Sequence, residues 1–302
     1  MQSALALPEL REDPDPDFPP DVVVSLGDAH RPPNSVTEIV EDVCAGPAVF
    51  WMDVAETARL LVRDGREIVV HAYPGASEGD VRAYLLGSAL GALLQQRGIL
   101  PLHASAVEID GRAVAFIAPS GGGKSTMAMH LQHRGHRVIC DDICAVDIKD
   151  GVPRLWPGLR NLKLWRASLA AIDRTPDSLE PVLATLDKYR LPIAAPAAYR
   201  AYDLAAVVML EWGGTLALTP MPGAAAVGAL VANTFRGELV VPMAREAAHW
   251  RQCLDTFQAA GVRVLTRPRA LDALDAASAM VVDTLTTEWA HGPGRHAVAT
   301  SA

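Results

Sequence analysis

Apolar residues fall in short runs over the first quarter of the chain, take a helical period near residue 78, then return in blocks that alternate strand and helix. The early runs, Val22–Val24, Ala48–Trp51, Ala58–Val62 and Glu67–His71, predict strands, and Asp64-Gly65 between the last two predicts a hairpin turn. Over 78–97, Val81, Tyr84, Leu85, Ala89, Ala92 and Leu93 recur at the spacing of one helical face, with Gly98 as the stop. Residues 21–98 therefore read as a small β-rich N-terminal module ending in a connecting helix. Ahead of it, residues 1–20 are rich in proline and acid and read as a disordered arm.

From residue 99 the pattern becomes that of an α/β domain, extending to about 287. A strand carrying His103 leads through the turn Ile109–Arg112 into the apolar run Ala113–Ala118. A glycine loop follows, then a helix over about 125–134 closed by Gly135, and a strand Arg137–Cys140. Residues 151–200 hold many prolines and read as loops with a short helix near 166–172. Beyond them come a buried strand at 204–211, helices at 221–234 and 243–259, a strand at 262–265 and a helix at 269–286. The tail 288–302 reads as disordered, and no internal repeat is apparent.

Composition narrows the function classes. The 302 residues suit one large domain or two small ones, and 50% hydrophobic with 21% charged residues is ordinary for a globular chain. A net charge of -8 argues against a nucleic-acid partner, since phosphate binding leaves a basic footprint. Four cysteines are too few for a disulfide framework. Cys140 and Cys144 read either as half a metal site or as small apolar residues of a buried strand. The N-terminus shows no signal-peptide pattern and no run approaches ~18 apolar residues, so a cytoplasmic protein without a membrane partner is expected.

The chemistry concentrates in Ala118-Pro-Ser120-Gly121-Gly122-Gly123-Lys124-Ser125-Thr126, between a predicted strand and a predicted helix. Three consecutive glycines let backbone N–H groups turn inward as an anion nest, and the helix N-terminus adds unpaired N–H groups. Lys124 supplies a point charge for outer phosphates, and the Ser125 hydroxyl a ligand for Mg²⁺. Polyphosphate uses all of these together, so ATP with Mg²⁺ is the expected cofactor pair. The Walker A pattern, G-x-x-x-x-G-K-[ST], is met except at its first glycine, where Ala118 stands.

Asp141-Asp142 end a strand 17 residues after Lys124. One carboxylate there can serve Mg²⁺ and the other can accept a proton from an attacking hydroxyl, although an Asp pair is also a common turn or cap. If its strand neighbours the loop strand in a parallel sheet, His103 can orient the catalytic carboxylate. A lone histidine at a strand end is otherwise a structural residue.

Taken together, the histidine segment from His103, the glycine loop, and Arg134-Gly-His-Arg-Val-Ile-Cys-Asp-Asp142 resemble the HPr serine kinase/phosphorylase family over roughly 103–148. The resemblance implies a P-loop catalytic domain like that of phosphoenolpyruvate carboxykinase. It implies Lys124 and the loop amides, Ser120 to Thr126, on phosphates. Ser125 and Asp142 would serve Mg²⁺, and Asp141 would be the base with His103 beside it. It also suggests a homo-oligomer.

The sequence departs from the bifunctional enzymes after the Asp pair. Their acidic ligand and glycine signature are absent from Trp156-Pro-Gly-Leu-Arg-Asn-Leu-Lys-Leu-Trp165, which weighs against phosphorolysis without deciding it. That segment, with Arg97–His103, Lys188-Tyr-Arg190 and the strand ending Leu210-Glu-Trp212, looks like the HPr-kinase-like proteins of lasso-peptide clusters. Some of these are similar to kinases of a precursor peptide's C-terminal serine. Lys188, Arg190 and Arg236 are then candidates to grip an acidic peptide end or to neutralise transferring charge, against an alternative of surface solvation. The leading expectation is a serine kinase acting on such a peptide. An HPr-type carrier substrate and a non-catalytic nucleotide-binding scaffold are its rivals.

Overall fold

The computed structural model describes residues 1–10, 19–33, 36–170, 174–183, 185–193, 200–270 and 272–291. The chain forms two compact units: Met1–Pro101 with Gly158–Ala195 and Thr234–Trp250, and Leu102–Pro157 with Pro196–Asn233 and Arg251–Ala302. It is a mixed α/β protein in both.

The first unit is built on a seven-stranded sheet. Antiparallel neighbours run through Thr37–Val40, Val43–Gly46, Val49–Val54, Ala58–Arg63 and Glu67–Ala72. The expected hairpin forms at Asp64-Gly65, where φ is +55° and +61°, the left-handed pair that matches strand twist. The helical segment is interrupted: Glu78–Tyr84, a π-helical turn Leu85–Ala89, then Leu90–Gln96. Its apolar face, including Val81, Leu85, Ala89 and Leu93, packs with Val24, Leu60 and Val70 in one buried cluster.

Two expectations are revised in this unit. Part of the arm is ordered: Gln2–Ser3 pairs in parallel with Val23–Val24, and Glu9 is buried, bonded to Arg82 at 2.9 Å. Residues 11–18 lie outside the described residues. The proline-rich region, read as loops, carries a three-stranded sheet of Asn161–Trp165, Lys188–Pro192 and Glu180–Pro181. It forms because Leu162, Leu164 and Val182 are buried while the prolines sit at strand ends.

The second unit holds a mixed sheet. The strand Arg112–Ile117 lies between Ala104–Ile109, antiparallel to it, and Tyr202–Trp212, parallel to it. Arg137–Asp141 pairs antiparallel on the far side of Ala104–Ile109. Val262–Arg267 pairs in parallel with Tyr202–Trp212, and Ala217–Pro220 closes that edge. The strand after His103 does neighbour the loop strand, but in antiparallel sense. The tight turn at Asp110-Gly111, φ +47° and +76°, allows no crossover. Helices Lys124–His133 and Ala273–Ala290 belong to the same unit, and the second runs past the expected end at 286. Residues 292–302, the rest of the expected tail, lie outside the described residues. No described helix is long and apolar enough to cross a membrane.

Candidate functional site

The second unit contains the glycine loop, His103 and the Asp pair. The loop strand ends at Ile117 in the fully buried core, so Pro119 onward must leave the sheet at its C-terminal edge. Gly121 and Gly123 take φ of +78° and +87°, and the helix starts at Lys124. A Cβ at Gly123 would also overlap the Arg267 guanidinium, so any other residue there displaces that side chain. Gly122 is confined as well, since its Cβ would come within 2.5 Å of that of Ala118.

Lys124 is buried and its Nζ donates to the carbonyl of Ala118 at 2.8 Å, which folds the side chain back along the loop. The Ser125 hydroxyl donates to Asp141 Oδ1 at 2.8 Å. The Ser105 hydroxyl donates to the same oxygen at 2.5 Å. Asp141 is 2% exposed, and these hydroxyls help to make a carboxylate tolerable there. Asp142 follows with φ +71°, which turns the chain out of the strand. His103 Nδ1 lies 3.0 Å from the Asp142 carbonyl oxygen and 3.5 Å from its Oδ1.

The structure thus brings together His103, Lys124, Ser125, Asp141 and Asp142. His103 was expected beside Asp141; its described contact is with the next residue, Asp142, just past the end of the same strand. Cys140 and Cys144 are free and fully buried, with sulfurs 2.8 Å apart. Burial pushes the Cys144 thiol well above its usual pKa. Among the described residues no group of three or more His, Cys, Asp or Glu is placed to hold a metal. Cys140 lies one residue before the end of the strand Arg137–Asp141, and Cys144 begins the next strand, Cys144–Lys149. Mg²⁺ makes no such demand, since it needs only one or two carboxylates beside phosphate and water.

The three basic candidates belong to the first unit. The Lys188 ammonium lies 5.8 Å from the Trp165 ring centroid. Arg236 donates to Ser88 Oγ and, at 3.1 Å, to Glu238. Arg190 is buried and occupied: it pairs with Glu180 at 2.9 Å and donates to the carbonyls of Gly79 and Val182. Its sequence context, between Tyr189 and Leu191, carries no sign of the carboxylate that claims it.

Two residues at the site escape a reading of the sequence. Ser105 lies in an apolar strand and reads as filler; its only signal is a position two residues after His103. Arg267 ends the last strand, far from the loop in sequence. Its Nη2 donates to the Gly122 carbonyl at 3.2 Å and its Cζ stacks 4.1 Å from the Trp212 ring centroid. The parallel register sets Trp212 directly opposite Arg267.

No protein-family model matches the chain. A curated HPr kinase/phosphorylase from Clostridium beijerinckii is 47% identical over 49 residues, 16% of this chain. The matched segment spans only 16% of that relative's own length. Among solved structures, the Hpr(Ser) kinase/phosphatase from Coxiella burnetii aligns over 62% of this chain and 98% of its own, at 10% identity and a TM-score of 0.29.

Proposed function

We propose that this chain is an ATP- and Mg²⁺-dependent kinase that phosphorylates a serine of a peptide. The observation that carries the reading is the 2.8 Å contact between Ser125 Oγ, on the first turn after the glycine loop, and Asp141. A hydroxyl and a carboxylate beside an anion nest are the oxygen ligands that Mg²⁺ on a polyphosphate requires. The residues present therefore fit the pair of cofactors. When bound, Mg²⁺ neutralises charge on the outer phosphates. The glycine loop amides and Lys124 would hold those phosphates.

The contacts favour exchanging the two Asp roles that the resemblance implies. Asp141 is enclosed and already bonded to the Mg²⁺-ligand serine, which suits metal binding. Asp142 is more open, its side chain 15% exposed, and has His103 alongside, which suits a base. In this reading Asp142 takes the proton from the substrate hydroxyl as its oxygen bonds to the γ-phosphorus and ADP leaves.

For the substrate, the resemblance to lasso-peptide precursor kinases supports the C-terminal serine of such a peptide. The similarity to an HPr kinase/phosphorylase, 47% identity over 49 residues, favours a second substrate, an HPr-type carrier protein.

Isothermal titration with ATP and Mg²⁺ tests the cofactor half. Wild type should bind, Lys124→Ala and Ser125→Ala should each bind about tenfold or more weakly (~1.4 kcal/mol), and Asp142→Asn should bind nearly as well as wild type. Absence of binding to wild type, or wild-type binding by Lys124→Ala, would contradict the reading.

A further inference from the structure

Arg267 is 3% exposed, yet among the described residues no carboxylate pairs with it. Its Nε is buried and unsatisfied. A guanidinium taken out of water without a counter-anion is costly, and natural chains rarely keep one unless something else supplies the negative charge. Its position indicates what. The strand Tyr202–Trp212 lies between Arg112–Ile117 and Val262–Arg267 and runs parallel to both, so the C-terminal ends of all three share one end of the sheet. Ligands of open α/β sheets bind outside that end. The glycine loop leaves Arg112–Ile117 there, and Trp212 and Arg267 end the other two strands.

The side chain is also held in place. Trp212 supports one face of the guanidinium plane, and Arg269 lies over the same ring at 5.7 Å. Nη2 is anchored on the Gly122 carbonyl, inside the nest. Gly123 leaves the space that the guanidinium fills. Burial lowers its pKa to about 10, so it remains a cation at neutral pH.

We infer that Arg267 is a phosphate-binding residue of this site, a second fixed cation beside Lys124 that contacts the polyphosphate seated on the glycine loop, with Trp212 as its platform. The inference rests on the nucleotide reading above and adds a ligand to it. A planar fork held on an aromatic face favours bidentate contact with phosphate oxygens, which a lysine ammonium does not reproduce.

The test is titration of the full chain with ATP and Mg²⁺, together with thermal melting of each variant with and without the nucleotide. Arg267→Met should lose tenfold or more in affinity and most of the nucleotide-induced rise in melting temperature. Its ligand-free melting temperature should equal or exceed that of wild type, because an unpaired buried charge has been removed. A purely structural arginine gives the opposite pattern, a lower ligand-free melting temperature with the nucleotide-induced rise intact. Arg267→Lys should bind between wild type and Arg267→Met, and it decides the matter if the methionine variant does not fold: wild-type affinity in the lysine variant overturns the inference. Binding by wild type with unchanged binding by Arg267→Met removes Arg267 alone. Failure of wild type to bind removes the nucleotide reading and this inference with it.

Discussion

His249 Nε2 lies 2.7 Å from the Thr234 hydroxyl, and burial together with Arg245 lowers its pKa from 6.5. His130 is lowered too, by burial above all. A histidine whose folded pKa lies below its unfolded value takes up fewer protons in the fold, so its contribution is complete above about pH 6.5 and is lost as pH falls. The urea midpoint should therefore drop on acidification below 6.5. His249→Gln should flatten part of that slope and leave the rest to His130; an unchanged slope would refute the assignment. At this scale the legible residues were those with a local motif. Lys124 and Ser125 stand next to glycines, and the Asp pair marks a strand end. Ser105 and Arg267 were not legible, because their meaning comes from the neighbours that pairing brings to them. The left-handed backbone of Asp142 was not legible either, because no local motif marks it.

Among elements, the strand Lys188–Pro192 depends on a polar anchor as well as on its ladder. Arg190 ties it to Glu180, to the Gly79 carbonyl and, at 3.8 Å, to Glu9. Arg190→Met leaves two carboxylates without that partner, and Glu9 is itself buried. The expected loss is about 3 kcal/mol of the first unit's stability, reduced to the extent that half-exposed Glu180 turns to solvent. Equilibrium unfolding followed by far-UV signal checks it, and a loss within a few tenths of a kcal/mol would rule it out. Strands with a continuous apolar run and a glycine turn between them, such as Ala58–Arg63 and Glu67–Ala72, could be read from the chain. The sheet over 161–192 could not. Its strands are short, and prolines that break a central strand are tolerated at its ends.

For the whole molecule, the sequence placed the boundary between the N-terminal module and the α/β domain once, near residue 98, with an arm to residue 20 and a tail from 288. The structure divides the chain at Pro101 and then returns Gly158–Ala195 and Thr234–Trp250 to the first unit. Local period cannot reveal such returns, since they follow from long-range packing such as Leu239 and Met243 in the cluster of Leu60 and Val70. What the second unit assembles alone is the loop, the Asp pair, His103 and Arg267. The central claim is that this assembly moves a phosphoryl group to a peptide serine, and intact-mass measurement of a peptide after incubation with the chain, ATP and Mg²⁺ tests it most directly. A lasso-precursor peptide ending in serine and an HPr-type carrier are the two substrates to offer. A gain of about 80 Da is expected on one of them, lost in Asp142→Asn even though that variant binds the nucleotide. Nucleotide binding by wild type with no mass gain on either, or undiminished transfer by Asp142→Asn, would contradict that claim.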